Sequence, residues 1–333
     1  LRIGKSINFL RRCCQDAGWD EDRAYVAAAA DAAGGLAYGN AAALEGMVAE
    51  AAGRVDRRMR EALFDRFRFG EHCLAIKRYL LLGQGDFIQY LMDLVGPDLS
   101  EPASAVSAYK LAGTLEAAIR ASNAQFDDPD VLARLRVRMM DHSEGELGWD
   151  VFSLEYAVTP PLTTVFTPAV MAKYLRIFNF LWRLRRVEHA LSSAWQIMKP
   201  NTASALEGGE AGAAGKALAG ELRRCHTLRN EMNHFCTNLQ YYIMFEVLES
   251  GWEGFQAATN EAKDLDDLIS AHDRYLGAIV DKALLGERSQ LLAKQLSTLF
   301  ELVLRFHGFS ERLFEAARGA ATRRSLAQLR AQQ

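Results

Sequence analysis

The chain has 333 residues, with 39 basic side chains against 42 acidic ones and a formal net charge of −3. So even a balance provides no long-range attraction to a polyanion, so a nucleic-acid partner is not expected. No run of about 18 apolar residues offers a membrane span, so no membrane partner is expected either.

Half the residues are hydrophobic, enough to bury a core without a disulfide or metal staple. The five cysteines are odd in number and contain no CxxC, the pattern of reduced intracellular thiols. The chain opens on Leu1 without the form of a signal peptide, and it reads as a piece of a longer protein.

Ile3 to Cys14 reads as a short amphipathic helix. Residues 21–53 are rich in Ala and Gly and read as a variable loop-like insertion with little to bury. From Val55 to Leu82 a helical stripe runs through Met59, Leu63, Phe67, Leu74 and Leu81. Gly83-Gln84-Gly85-Asp86 then interrupts it. Neither a preceding strand nor a third glycine supports a phosphate loop there, so it is a helix-to-helix turn with Asp86 capping Phe87 to Val95. A helix follows from Ser100 to about Ser122. Asp128-Pro129 opens another, with Val131, Leu132, Leu135 and Met139 inward.

Gly148 to Thr167, GWDVFSLEYAVTPPLTTVFT, is where the helical period fails. Phe152, Leu154, Tyr156 and Val158 alternate with Val151, Ser153, Glu155 and Ala157, the period of a half-buried strand. Pro160-Pro161 ends it, and Thr167-Pro168 opens a helix of about thirty residues. Residues 201–220 read as a Gly/Ala-rich loop.

Glu221 to Ser250 forms the next helix. Its inward positions are Leu222, Cys225, Leu228, Met232, Phe235, Leu239, Tyr242 and Leu248, with Gly251 as its stop. Glu261 to Leu285 and Glu287 to Gly319 complete the set, and the polar tail from Thr322 is expected to fray. The expected fold is a single all-α domain over 1–333, an elongated helical bundle with a short extended, β-hairpin-like excursion near 150–166.

Chemistry is sparse. Cys225, His226, His234 and Cys236 suggest metal ligands, yet the two cysteines lie roughly 16 Å apart along one helix axis, too far for a single zinc. His272 sits among Leu268, Ile269 and Leu276, as a core histidine would. No Ser occupies a GxSxG elbow. The sequence therefore predicts no catalytic residue, no cofactor and no metal.

Lys173, Arg176, Arg183, Arg185 and Arg186 are interleaved with Tyr174, Phe178, Phe180 and Trp182. That pattern fits a solvated basic face beside a core stripe, or a binding face built from hot-spot residue types. The adjacent excursion favours binding. Trp149, Phe152, Tyr156, Pro161, Phe166, Arg176, Arg183 and Arg186 are the expected partner contacts.

Several long segments carry a resemblance. KRYLLLGQGDFIQYLMDLVGPDLSE from Lys77, AAIRASNAQFDDPDVLARLRVRMM, and GWDVFSLEYAVTPPLTTVFTPAVMAKYLRIFNFLWRLRRVEHAL are similar to the gamma-tubulin complex components. GKSINFLRRCC, CHTLRNEMNHF, QYYIMFEVLESGW and DLDDLISAHDRYL match in the same order. The resemblance implies the C-terminal half of such a component, the second grip motif, a helical bundle that binds one gamma-tubulin and presents it as a template for microtubule minus ends. It also implies lateral contacts to other complex components through the N-terminal half, which this chain does not match. The setting would be the cytoplasmic microtubule-organising centre, at a centrosome or spindle pole. The nucleotide would sit in the tubulin, consistent with no cofactor here. A generic helical scaffold and a helical enzyme using scattered Asp and His remain alternatives. A deep pocket with convergent titratable groups would favour the enzyme.

Overall fold

The computed structural model describes residues 2–14, 41–198 and 213–331. In chain order the helices are α1 (Arg2–Cys14), α2 (Ala41–Glu61), α3 (Phe69–Tyr79), α4 (Gly85–Leu99), α5 (Ala108–Ala121) and α6 (Pro129–Ala133). Strand β1 (Leu135–Met139), the single turn α7 (Gly148–Val151) and strand β2 (Phe152–Tyr156) follow. Then come α8 (Pro168–Ile197), α9 (Ala213–Tyr241), α10 (Ser250–Glu261), α11 (Leu265–Lys282) and α12 (Gln290–Ala331). The architecture is all-α with one two-stranded antiparallel sheet among the described residues.

Some expected bounds change. Residues 41–53 are the first part of α2 rather than loop, because alanine supplies helix propensity where burial is slight. Residues 21–40 and 201–212 lie outside the described residues, while 213–220 belong to α9. At the other end, the backbone of α12 stays helical to Ala331 where fraying was expected.

The chain separates into two compact units. The first comprises Leu1–Phe178 and Ser250–Ile279. Here α1 lies on α2, with the Ser6 hydroxyl donating to Asp56 at 2.6 Å and Lys5 paired with Asp266 at 2.8 Å. The turn after α3 is the helix-to-helix connection expected: Gly83 and Gln84 donate their N–H groups to the Lys77 and Arg78 carbonyls. The Asp86 carboxylate accepts the Asn123 N–H at 2.8 Å, tying the start of α4 to the turn that follows α5.

The predicted helix from Pro129 stops at Ala133, and Leu135 to Met139 pair with β2, Val137 standing opposite Leu154. The misreading has a physical cause. Leu135 and Met139 are four apart, a spacing that satisfies a helix face and a strand face equally, whereas Val137 between two arginines fits only the strand. Between the strands, α7 presses on the end of α4 at Gly148. A Cβ on Gly148 would lie 2.8 Å from the Leu99 Cα, so only glycine permits that approach.

Within the excursion β2 is almost wholly buried, only Glu155 being exposed along it, while Thr159, Pro160, Thr163 and Thr164 beyond it are exposed. Thr167 caps α8 by accepting the Val170 N–H on its hydroxyl. Phe166 packs against Phe69 and His272, with ring centroids 5.6 and 5.2 Å away. Gly251 does not stop a helix. A π turn over Tyr242–Glu249 runs on into α10, and the Tyr275 ring packs against Gly251.

The second unit comprises Asn179–Glu249 and Val280–Gln333. Leu184, Val187 and Leu191 of α8 share a core with Cys236 of α9 and Leu296, Phe300 and Val303 of α12. A second cluster joins Met198, Leu222, Cys225 and Phe314. Numbers rise from the first cluster to the second along α8 and α12 and fall along α9. The unit is therefore a three-helix bundle with α9 antiparallel to the other two. On α12 the buried positions Leu296, Phe300, Val303, Ser310 and Phe314 follow the three-and-four spacing of a helix seam.

Candidate functional site

The expected contact residues divide sharply by placement. Trp149, Phe152, Tyr156, Pro161 and Phe166 are buried in the first unit. The Tyr156 hydroxyl lies 2.6 Å from His72 Nδ1 inside that core, and burial raises its pKa. Most of their surface is packed inside the unit, and Tyr156 and Phe166 also line a groove beside β2. The aromatic alternation that suggested a contact surface is instead the sheet's packing against α3 and its neighbours. Arg176 and Arg183 are exposed and Arg186 is half-buried, Arg176 in the first unit and the other two in the second.

His272 is a core histidine, as expected. Its Nε2 lies 2.8 Å from the Tyr174 hydroxyl, and Phe166 and Phe255 flank the ring. Burial lowers its pKa to about 4, nearby Asp273 opposes the shift, and Lys173 adds to it. A histidine held neutral in the fold contributes stability that is fully present above its unfolded pKa, near 6.5, and is lost as pH falls toward its folded value. The first unit should therefore lose roughly 1.4 kcal/mol per pH unit from this group between about pH 6.5 and pH 4. Denaturant titrations across that range would measure it, and a His272→Phe variant should show a shallower acid limb.

Among the described residues, grooves indent the first unit. One of about 630 Å³ lies beside β2 and the start of α8, lined by Leu154, Phe166, Met171 and Leu175, with Arg138 and Glu155 (4.0 Å apart) as its charged groups. Another, about 570 Å³, lies between α5 and β1, its walls carrying Glu116, Arg120 and Arg136. Neither is lined by a histidine, cysteine or aspartate, so the convergent titratable groups that would favour an enzyme are not gathered in these grooves. Among the described residues no cluster of His, Cys, Asp and Glu could hold a metal, and no helix is long and apolar enough to cross a membrane. Cys225 and Cys236 lie in separate core clusters; burial raises both thiol pKa values, that of Cys236 to about 11.

The first unit exposes Val48, Tyr90, Leu94, Tyr109 and Phe126, and the second unit carries exposed apolar side chains in rows along two helices. Leu228, Phe235 and Tyr242 of α9 and its π turn, all expected inward, are exposed. So are Leu291, Leu292, Leu299, Leu302 and Phe309 of α12, at 71, 53, 44, 50 and 51%. Tyr241 and Phe245, also exposed, stack on each other with ring centroids 5.9 Å apart. Single exposed hydrophobics are ordinary, but rows of them along two helices of one bundle mark an interaction surface. Periodicity locates apolar rows without saying which of two rows faces inward. The signal available in the sequence was surplus: α9 and α12 each carry more apolar positions than one seam can absorb. The π turn beside the row is a further sign, since such turns are frequent at functional sites.

The second unit is thus a helical bundle with an apolar face that the described residues leave uncovered. Residues 70–333 match the family model described as gamma tubulin complex component C-terminal. The chain is 59% identical over 319 residues to gamma-tubulin complex component 3 of Arabidopsis thaliana, covering 95% of this chain and 38% of that protein. It is 40% identical over 326 residues to gamma-tubulin complex component 3 of Homo sapiens (95% and 34%), and 37% identical over 317 residues to spindle pole body component alp6 of Schizosaccharomyces pombe (94% and 37%). This chain belongs to the gamma-tubulin complex component family, and its matched region is the C-terminal part. It spans between a third and two fifths of the length of these relatives.

Proposed function

We propose that the chain is the gamma-tubulin-binding module of a microtubule-nucleating complex, holding one gamma-tubulin as part of a template for microtubule minus ends. The observation that carries this reading is the exposed apolar face of α9 and α12, combined with membership of a family whose members are named for their complex with gamma-tubulin. The catalytic effect is geometric. Fixing several tubulins in place beforehand removes the entropy cost of assembling a nucleus from free subunits.

Arg176, Arg183 and Arg186 are proposed as further charged contacts on α8, separate from the apolar rows of α9 and α12. Trp149, Phe152, Tyr156, Pro161 and Phe166 are proposed to act by shaping the first unit rather than by touching the partner. Lateral contacts to other components are assigned to sequence beyond this chain. The site of action is proposed to be a microtubule-organising centre, in line with relatives named as spindle pole body components. Analytical ultracentrifugation of the chain with purified gamma-tubulin tests the reading, the expected result being a one-to-one complex.

A further inference from the structure

The exposed rows of the second unit have a regularity that a general sticky patch would lack. On α12, Leu292, Leu299, Leu302 and Phe309 are separated by seven, three and seven residues, with half-buried Phe306 filling the intermediate step. On α9 and its π turn, Leu228, Phe235 and Tyr242 repeat every seven. These are heptad rows, and each borders the buried row of its own helix: Leu296, Phe300 and Val303 on α12, Met232, Cys236 and Leu239 on α9.

The two rows also line one edge of the bundle. Arg229 projects from the α8 side of α9, its Nε donating to the Leu191 carbonyl at 3.3 Å and its guanidinium 4.9 Å over Trp195. Helix geometry turns about 100° per residue, which places Leu228, Phe235 and Tyr242 on the opposite flank, away from α8. On α12 the exposed row is offset from its buried seam in the same rotational sense. Because α9 and α12 are antiparallel, rows offset in the same sense face the same side of their interface. The result is an open apolar groove between two helices of a three-helix bundle, at the position a fourth helix would occupy.

We infer that gamma-tubulin docks here by laying one amphipathic helix between α9 and α12, completing a four-helix bundle. This rests on the reading that the chain binds gamma-tubulin. The α12 row from Leu292 to Phe309 is about 26 Å long, the rise of roughly five helical turns, so the docking helix carries apolar residues at three-and-four spacing over that length. From Leu291 to Phe309 the row contains no charged side chain, so the inserted face is uncharged. Exposed Lys294, Arg305 and Arg312 lie along the outer border of α12 with Glu301 as the opposing charge there, while Arg224 and Glu231 border the α9 row, so the docking helix carries acidic residues on its α12 side.

Photo-crosslinking in the assembled complex decides the mode. A benzoylphenylalanine is placed in turn at Leu228, Phe235, Leu299, Leu302 and Phe309, with Val48 as an exposed control on the first unit, and adducts are mapped by mass spectrometry. The expected result is that α9 and α12 positions both react with one helical segment of gamma-tubulin, at residues three or four apart, while Val48 does not react. Adducts scattered over loops or strands of a gamma-tubulin that still binds one-to-one would overturn the helix insertion and leave the binding reading standing. Adducts to a second copy of this chain, or none at these positions in an intact complex, would overturn this groove as the docking site. Failure to form any complex with wild-type chain would overturn the binding reading itself.

Discussion

Replacing Leu299 and Leu302 together by glutamate should abolish gamma-tubulin binding while leaving the melting transition in place. Both side chains are half exposed in the free chain, so neither carboxylate is forced into the core. Leucine and glutamate have nearly equal helix propensities, and surface substitutions of this kind usually change stability by no more than about 0.5 kcal/mol. In the complex the same positions sit in the middle of an apolar contact. Losing two central anchors costs about 2 kcal/mol each, and burying unpaired carboxylates adds to that. The combined loss is about 4 kcal/mol or more, roughly a thousandfold in affinity. Titration calorimetry gives the affinity and circular dichroism the melting curve. Unchanged affinity would remove the α12 face from the interface, and a collapsed melting transition would assign these leucines to the fold.

Phe166→Ala should behave in the opposite way. Phe166 is fully buried against Phe69 and His272 in the first unit, and truncating a buried phenylalanine costs about 3–5 kcal/mol through lost transfer energy and the cavity left behind. For a chain of this size each kcal/mol is worth about 2–4 °C, so the first transition should fall by roughly 10 °C. Below that transition the variant should still bind gamma-tubulin, because the lost contacts are internal. A Phe166→Ala chain that melts normally but binds poorly would restore this aromatic segment as a direct contact. The two variants together separate a residue that makes the surface from one that builds the scaffold beneath it.

Much of the fold was legible because long helices write their inward faces at regular spacing. The period switch at Trp149 located β2, and Thr167-Pro168 located the start of α8. Its partner β1 was hidden because Leu135 and Met139 satisfy both periods and five residues give too little pattern to choose. Gly251 looked like a stop, yet helical backbone runs through it from the π turn into α10. The candidate site was harder. Aromatic and basic composition pointed to residues 149–166, but composition cannot distinguish an aromatic core from an aromatic surface. Its aromatic side chains are core because β2 is covered on both faces, with Glu155 the one exposed side chain of the strand. The exposed rows on α9 and α12 were written in the sequence as Leu228, Phe235 and Tyr242, then Leu292, Leu299 and Leu302. Read alone, each row looks like an ordinary inward face. Only the position of α8, which claims the other flank of α9 through Arg229, shows that these rows are left uncovered.

If this chain by itself holds gamma-tubulin, sedimentation velocity of the two purified proteins mixed at increasing ratios should show a single faster boundary. That boundary should saturate at one gamma-tubulin per chain and be lost in the Leu299→Glu, Leu302→Glu variant. Two boundaries that sediment independently at every ratio would contradict binding by this chain.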